Sequence, residues 1–68
     1  MQKYLLLNKI HKAGYKSERD FAEELPFTYV AFNNKLNGKT QFKVNEIKMI
    51  SKLLHIDDYA EQAEIFLA

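Results

Sequence analysis

The stretch Ser17–Lys39, S-E-R-D-F-A-E-E-L-P-F-T-Y-V-A-F-N-N-K-L-N-G-K, constrains this chain more than any other. Phe21, Ala22 and Leu25 mark one apolar face, and Phe32 with Leu36, four residues apart, marks a second. Ser17 and Thr28 each precede a helical run, where a hydroxyl accepts a bond from an N–H the helix leaves unpaired. Asp20, three residues after Ser17, makes a capping-box-like pair, and the early acids suit the positive end of a helix dipole. Pro26 drives Leu25 out of the helical region and ends the first segment. Gly38, free to adopt positive φ, ends the second. The reading is two short helices joined by a tight turn, with the small Ala22 letting the second cross close over the first.

The rest of the chain narrows the class. Its 68 residues make a single domain, 1–68, with a small core. A chain of this length buries only about 60% of its unfolded surface. It has no cysteine, hence no disulfide and no thiolate zinc site. An apolar fraction of 47%, one proline and two glycines fit an all-α globule better than a turn-rich β fold. No run approaches a membrane span, and the opening Met1–Leu7 lacks the long apolar core and cleavage site of a signal peptide. A cytoplasmic protein with no membrane contact is the expectation.

Periodicity and stop signals predict helices at about 2–12, 17–25, 28–37, 43–54 and 58–67. Leu6 and Ile10 form the inward pair of the first, flanked by Leu7 or Tyr4, and Gly14 is its left-handed stop. The segment Lys39–Lys43 is a loop with Phe42 as its anchor to the core. Val44, Ile47, Ile50, Leu53 and Leu54 make the broad apolar stripe of the fourth helix. His55-Ile56 is a short link, and Asp57 or Asp58 caps the last helix.

Net charge is only +1, but the charges are segregated. Lys3, Lys9, Lys12 and Lys16 stand in the first sixteen residues without an acid. Lys35, Lys39 and Lys43 stand in 26–43, again without one. Such a field can steer an anionic partner to one side of a molecule whose total charge is near zero. Catalysis finds no support: His11 and His55 lie in different elements with no nucleophile or acid placed beside them. Two scattered histidines are too few for a metal site, there is no glycine-rich phosphate loop, and no cofactor is implied. The polar face of the third helix, Tyr29, Val30, Asn33 and Asn34, has the layout of the second helix of a helix-turn-helix, which can enter a DNA major groove.

Three pieces carry a family likeness: Phe21-Ala22; Phe32…Leu36-Asn37-Gly38-Lys39; and Phe42…Glu46-Ile47…Ile50…Leu54. From about Leu6 to about Phe66 the chain resembles the phage repressor and Cro-type (XRE-like) helix-turn-helix domains. The resemblance implies a five-helix, lambda-repressor-like fold and a transcriptional regulator, not an enzyme, that binds a double-stranded DNA operator. Helix three would read bases: Asn34 through bidentate bonds to adenine, Val30 against a thymine methyl, with Tyr29 and Asn33 beside them. Phosphates would be held by Thr28, Lys35, Asn37, Lys39, Thr40, Lys43 and Lys16, fixing register without reading sequence. Binding would use a homodimer on half-sites about 34 Å apart. Tyr59, Ile65, Phe66 and Leu67 are the expected dimer or partner surface, with packing of the last helix on the first as the alternative. The sequence is compatible with a whole protein or with the N-terminal domain of a longer repressor.

Three residues depart from the family pattern. Glu18 stands where a phosphate-touching glutamine is common, Pro26 where the turn usually has glycine, and Lys35 near a commonly apolar position. These favour an alternative in which the same fold binds a protein, for instance as an antirepressor masking the DNA-binding face of a phage repressor.

Overall fold

The computed structural model describes residues 1–67. Among these it is a compact all-helical domain of five helices without strands: α1 Lys3–Lys12, α2 Glu18–Ala22, α3 Tyr29–Leu36, α4 Val44–Leu53 and α5 Tyr59–Phe66. None of them is long and apolar enough to cross a membrane.

The starts follow the expected chemistry. The Ser17 hydroxyl accepts the Asp20 N–H at 3.2 Å, Thr28 accepts from Ala31 at 3.2 Å, and an Asp58 oxygen accepts from Ala60 at 3.0 Å. The ends of α1, α3 and α4 share one device. At each, the residue after the cap turns left-handed: Gly14 at φ +99°, Gly38 at +79° and His55 at +58°. Each residue beyond it donates back five positions, Tyr15 to Ile10, Lys39 to Asn34 and Ile56 to Ser51. This is the Schellman arrangement. His55 is therefore a helix terminator held in a backbone region that disfavours a side chain, rather than a simple link.

Helix α2 is shorter than predicted. It stops at Ala22, and the chain tightens at once: the Glu24 N–H bonds Phe21 O and the Leu25 N–H bonds Ala22 O, both three residues back. The tightening carries Leu25 into the core before Pro26 can act as the stop.

The core joins all five helices: Leu6 and Ile10 of α1, Phe21 and Ala22 of α2, Phe32 and Leu36 of α3, Ile50 of α4, Ile65 and Phe66 of α5. A chain of rings runs through it, Tyr15–Phe21–Phe32–Phe42–Phe66, with centroids 5.0, 5.8, 6.1 and 5.6 Å apart. Such pairs contribute about 0.5–1.5 kcal/mol each beyond burial. Phe42 is thus the anchor of the loop before α4. Val44 is largely exposed, so the α4 stripe is narrower than expected. Tyr4 also faces solvent, leaving Leu7 as the flank of the α1 pair.

Ile65 and Phe66 correct the expected partner surface. Both are buried, α5 packs against α1, and Gln2 N–H bonds Ile65 O at 2.7 Å. The apolar C-terminal residues close the core, and only Tyr59 and Leu67 of the proposed set remain exposed.

Candidate nucleic-acid interface

Helix α3 sets the site. Phe32 and Leu36 hold one face in the core, so at 3.6 residues per turn the opposite arc presents Val30, Asn33, Asn34 and Asn37. Val30 and Asn37 are exposed, and Asn33 and Asn34 are half-buried. Neither Asn33 nor Asn34 has a side-chain hydrogen bond among the described residues, so both amides keep their donors and acceptors for an outside group. Tyr29 lies at the edge of this arc, half-buried against the core, with the Arg19 guanidinium 4.7 Å from its ring centroid. That is a cation–π contact.

The expected phosphate contacts divide. Lys16, Lys39, Thr40 and Lys43 are exposed. Thr28 is exposed too, and its hydroxyl oxygen already caps α3 while its proton remains free to donate. Asn37 accepts from Lys3 Nζ at 2.8 Å, which brings the start of α1 beside the end of α3.

Lys35 is the correction. Its ammonium sits 3.1 Å from Glu46 Oε1, donates to Gln41 O at 3.2 Å, and lies 5.5 and 5.9 Å from the ring centroids of Phe27 and Phe42. The two side chains of the ion pair are only 12% and 13% exposed. Lys35 is therefore an internal tie and not a free cation for phosphate. Glu46 accepts in addition the Lys43 N–H at 2.8 Å, so one carboxylate starts α4 and pairs Lys35. Burial pushes the Glu46 carboxyl upward, but the Lys43 N–H and the Lys35 ammonium outweigh it and hold the group below its ordinary value.

A cleft of about 470 Å³ opens beside Tyr29, between α1 and the start of α2; His11, Lys16, Glu18 and Arg19 are its charged and titratable lining. Tyr15, which lines the cleft, donates its hydroxyl to the carboxylate of Glu24, which does not line it. That bond, with burial and the nearby negative charge, raises the phenol above its ordinary range.

Sequence reasoning missed two residues here. Lys3 reaches Asn37 across 34 positions, which no local pattern signals. Arg19 sits among Glu18, Asp20 and Glu23 and reads as part of an acidic, solvated helix face; its one signal is that it is the only arginine in the chain. Comparison of the chain with family models, with curated proteins and with solved structures gave no match.

Proposed function

We propose that α2, its turn and α3 form a helix-turn-helix of the phage-repressor type, and that the chain binds a specific double-stranded DNA operator as a transcriptional regulator. The observation that carries this is the arc Val30–Asn33–Asn34–Asn37: polar, uncommitted at its two central amides, and held outward by the burial of Phe32 and Leu36. Asn34 reads adenine, Val30 meets a thymine methyl, and Asn33 and Tyr29 complete the contact. Lys39, Thr40 and Lys43 grip the backbone beyond the C-terminal end of α3. No acid falls between Glu24 and Glu46 in the sequence, so Lys39 and Lys43 have no acid in their own segment, while Glu18 and Glu23 stand beside the Tyr29 end of the arc. A single domain offers few contacts, which favours a homodimer, with Tyr59 and Leu67 as its exposed apolar residues.

The test is a titration against the chain's own promoter region at several salt concentrations. The expected result is log-linear weakening, with a slope of about 0.9 per phosphate neutralised. Asn34→Ala should lose about 1–3 kcal/mol of discrimination at one base pair. Binding that is absent or indifferent to sequence overturns the reading.

A second reading, a protein-interaction module that masks a repressor, is favoured by Glu18. Its carboxylate lines the cleft beside Tyr29, where it would repel a phosphate. Co-purification with a phage-type repressor encoded beside this chain, together with absence of DNA binding, would select it.

A further inference from the structure

We infer that Lys3 is a positioning residue for the end of α3: by holding the side-chain oxygen of Asn37 it makes that amide a donor only, directed at an acceptor atom of the DNA. The inference rests on the DNA-binding reading and adds to it the start of α1, an element which that reading does not use.

The first ground is the chemistry of the bond. Lys3 Nζ lies 2.8 Å from Asn37 Oδ1. An ammonium has three donors and no acceptor, so only the amide oxygen can face it. The NH₂ group of Asn37 then points away from Lys3, and nothing among the described residues accepts from it. Asn33 and Asn34 differ, since each keeps oxygen and NH₂ alike for an outside group. An amide with both can bond adenine N6 and N7 together; one whose oxygen is taken cannot. Asn37 is left for acceptors alone: a phosphate oxygen, or guanine O6 and N7, or thymine O4.

The second ground is rigidity. Asn37 caps α3, and its backbone N–H bonds Asn33 O at 3.0 Å. Gly38 turns left-handed directly after it, and the Lys39 N–H returns to Asn34 O at 2.9 Å. The backbone is thus fixed on both sides, and Lys3 fixes the side chain. Lys3 is itself placed by its neighbour Gln2, whose N–H bonds Ile65 O of α5 at 2.7 Å. A side chain ordered before the partner arrives loses less freedom on binding.

The third ground is charge. Asn37 is exposed, at the carbonyl end of α3, where the helix dipole is negative and repels an anion. The Lys3 ammonium opposes that field. It has no carboxylate partner among the described residues, so its charge is not neutralised within the fold.

The test measures affinity for operator and for scrambled DNA, with urea midpoints alongside. The chains compared are the wild type, Lys3→Met, Lys3→Arg, Asn37→Ala, the double variant Lys3→Met with Asn37→Ala, and Asn37→Asp. Lys3→Met also removes a charge, but that part persists when Asn37 is already truncated, and the cycle isolates the rest. The expected coupling is about three-fold in affinity, with Lys3→Met costing more when Asn37 is present. Lys3→Arg still donates to the oxygen and should bind as the wild type does. Asn37→Asp leaves Lys3 an oxygen to bond but removes both donors. Operator affinity should therefore fall about ten-fold, while the urea midpoint, resting on an exposed pair, moves little. A loss in Asn37→Ala that is equal on operator and scrambled DNA identifies the acceptor as phosphate. A loss confined to the operator identifies it as a base edge, and either pattern supports the inference. Should Asn37→Asp fail to fold, the cycle decides. Effects that add without coupling, or wild-type affinity in Asn37→Asp, overturn the role of Lys3 and leave the DNA reading standing. A wild-type chain that does not bind DNA overturns both.

Discussion

Two cations stand at opposite ends of α3, Arg19 against its first residue and Lys35 in its last turn, and meet opposite fates. Arg19 and Lys35 both lie against aromatic rings, at 4.7 Å from Tyr29 and 5.5 Å from Phe27. Lys35 is enclosed: Glu46, Gln41 O and two phenylalanines take up its ammonium, and little of it reaches solvent. Arg19 is exposed, and only the face of its guanidinium is engaged. Counting basic residues therefore does not count contacts to a partner. A cation near α3 is committed to the fold or left open to solvent according to whether a carboxylate from another element reaches it.

The comparison breaks most visibly in stability. Lys35→Ala leaves Glu46 mostly buried without its counter-charge and removes the stem that packs on Phe27 and Phe42. For a fully buried pair the loss is about 3–5 kcal/mol; for this partly solvated one, about 2–3 kcal/mol is expected. That is a large share of what a domain this small possesses. Arg19→Ala should stay within about 0.5 kcal/mol of wild type, as exposed sites do. Urea unfolding of the two variants side by side is the measurement. Similar losses in both would abolish the distinction. The double variant Lys35→Met with Glu46→Gln sharpens it. With the charges removed together and the volume kept, most of the stability should return.

Conformation holds the same end of α3 as charge does. Gly38 turns at φ +79°, and a Cβ built there meets nothing within 4 Å. Gly38→Ala should therefore cost about 1 kcal/mol from backbone strain alone, with no clash to relax. His55→Gly is the mirror experiment at the end of α4, where a side chain already bears that strain at φ +58°. It should raise the thermal midpoint, by an increment corresponding to about 0.5–1 kcal/mol. A His55→Gly variant less stable than wild type would show that the imidazole makes up for the backbone.

What could be read from the chain divides along the same line. Ser17, Thr28, Gly14 and Gly38 announce helix limits because capping is settled within five residues. Leu6, Ile10, Phe32 and Leu36 announce the core because a helical period does not depend on what packs against it. Lys35 did not announce its role, since its partner stands eleven positions on, across a loop. Ile65 and Phe66 read equally as a partner surface or as packing on the first helix, and the choice stayed open because the covering element, α1, comes from the other end of the chain. Arg19 was hidden by its own neighbours, whose acidity suggests local pairing that the fold replaces with a ring ten residues away.

The smallest effect separates the two cations by pH. Glu46 is held below its ordinary value in the folded chain, so folding favours its ionised form. Its contribution is fully present above the unfolded carboxyl value of about 4.3 and fades as pH falls through the lower folded value. Urea midpoints taken from pH 7 down to pH 3 should therefore decline on the acid side. Glu46→Gln should remove that part of the decline, because an amide can still accept the Lys43 N–H but cannot titrate. Arg19 has no carboxylate to lose, so the Arg19→Ala curve should run parallel to wild type throughout. An acid limb that survives intact in Glu46→Gln, or that flattens in Arg19→Ala, would mean that the carboxylate anchoring this end of the molecule has been assigned to the wrong cation.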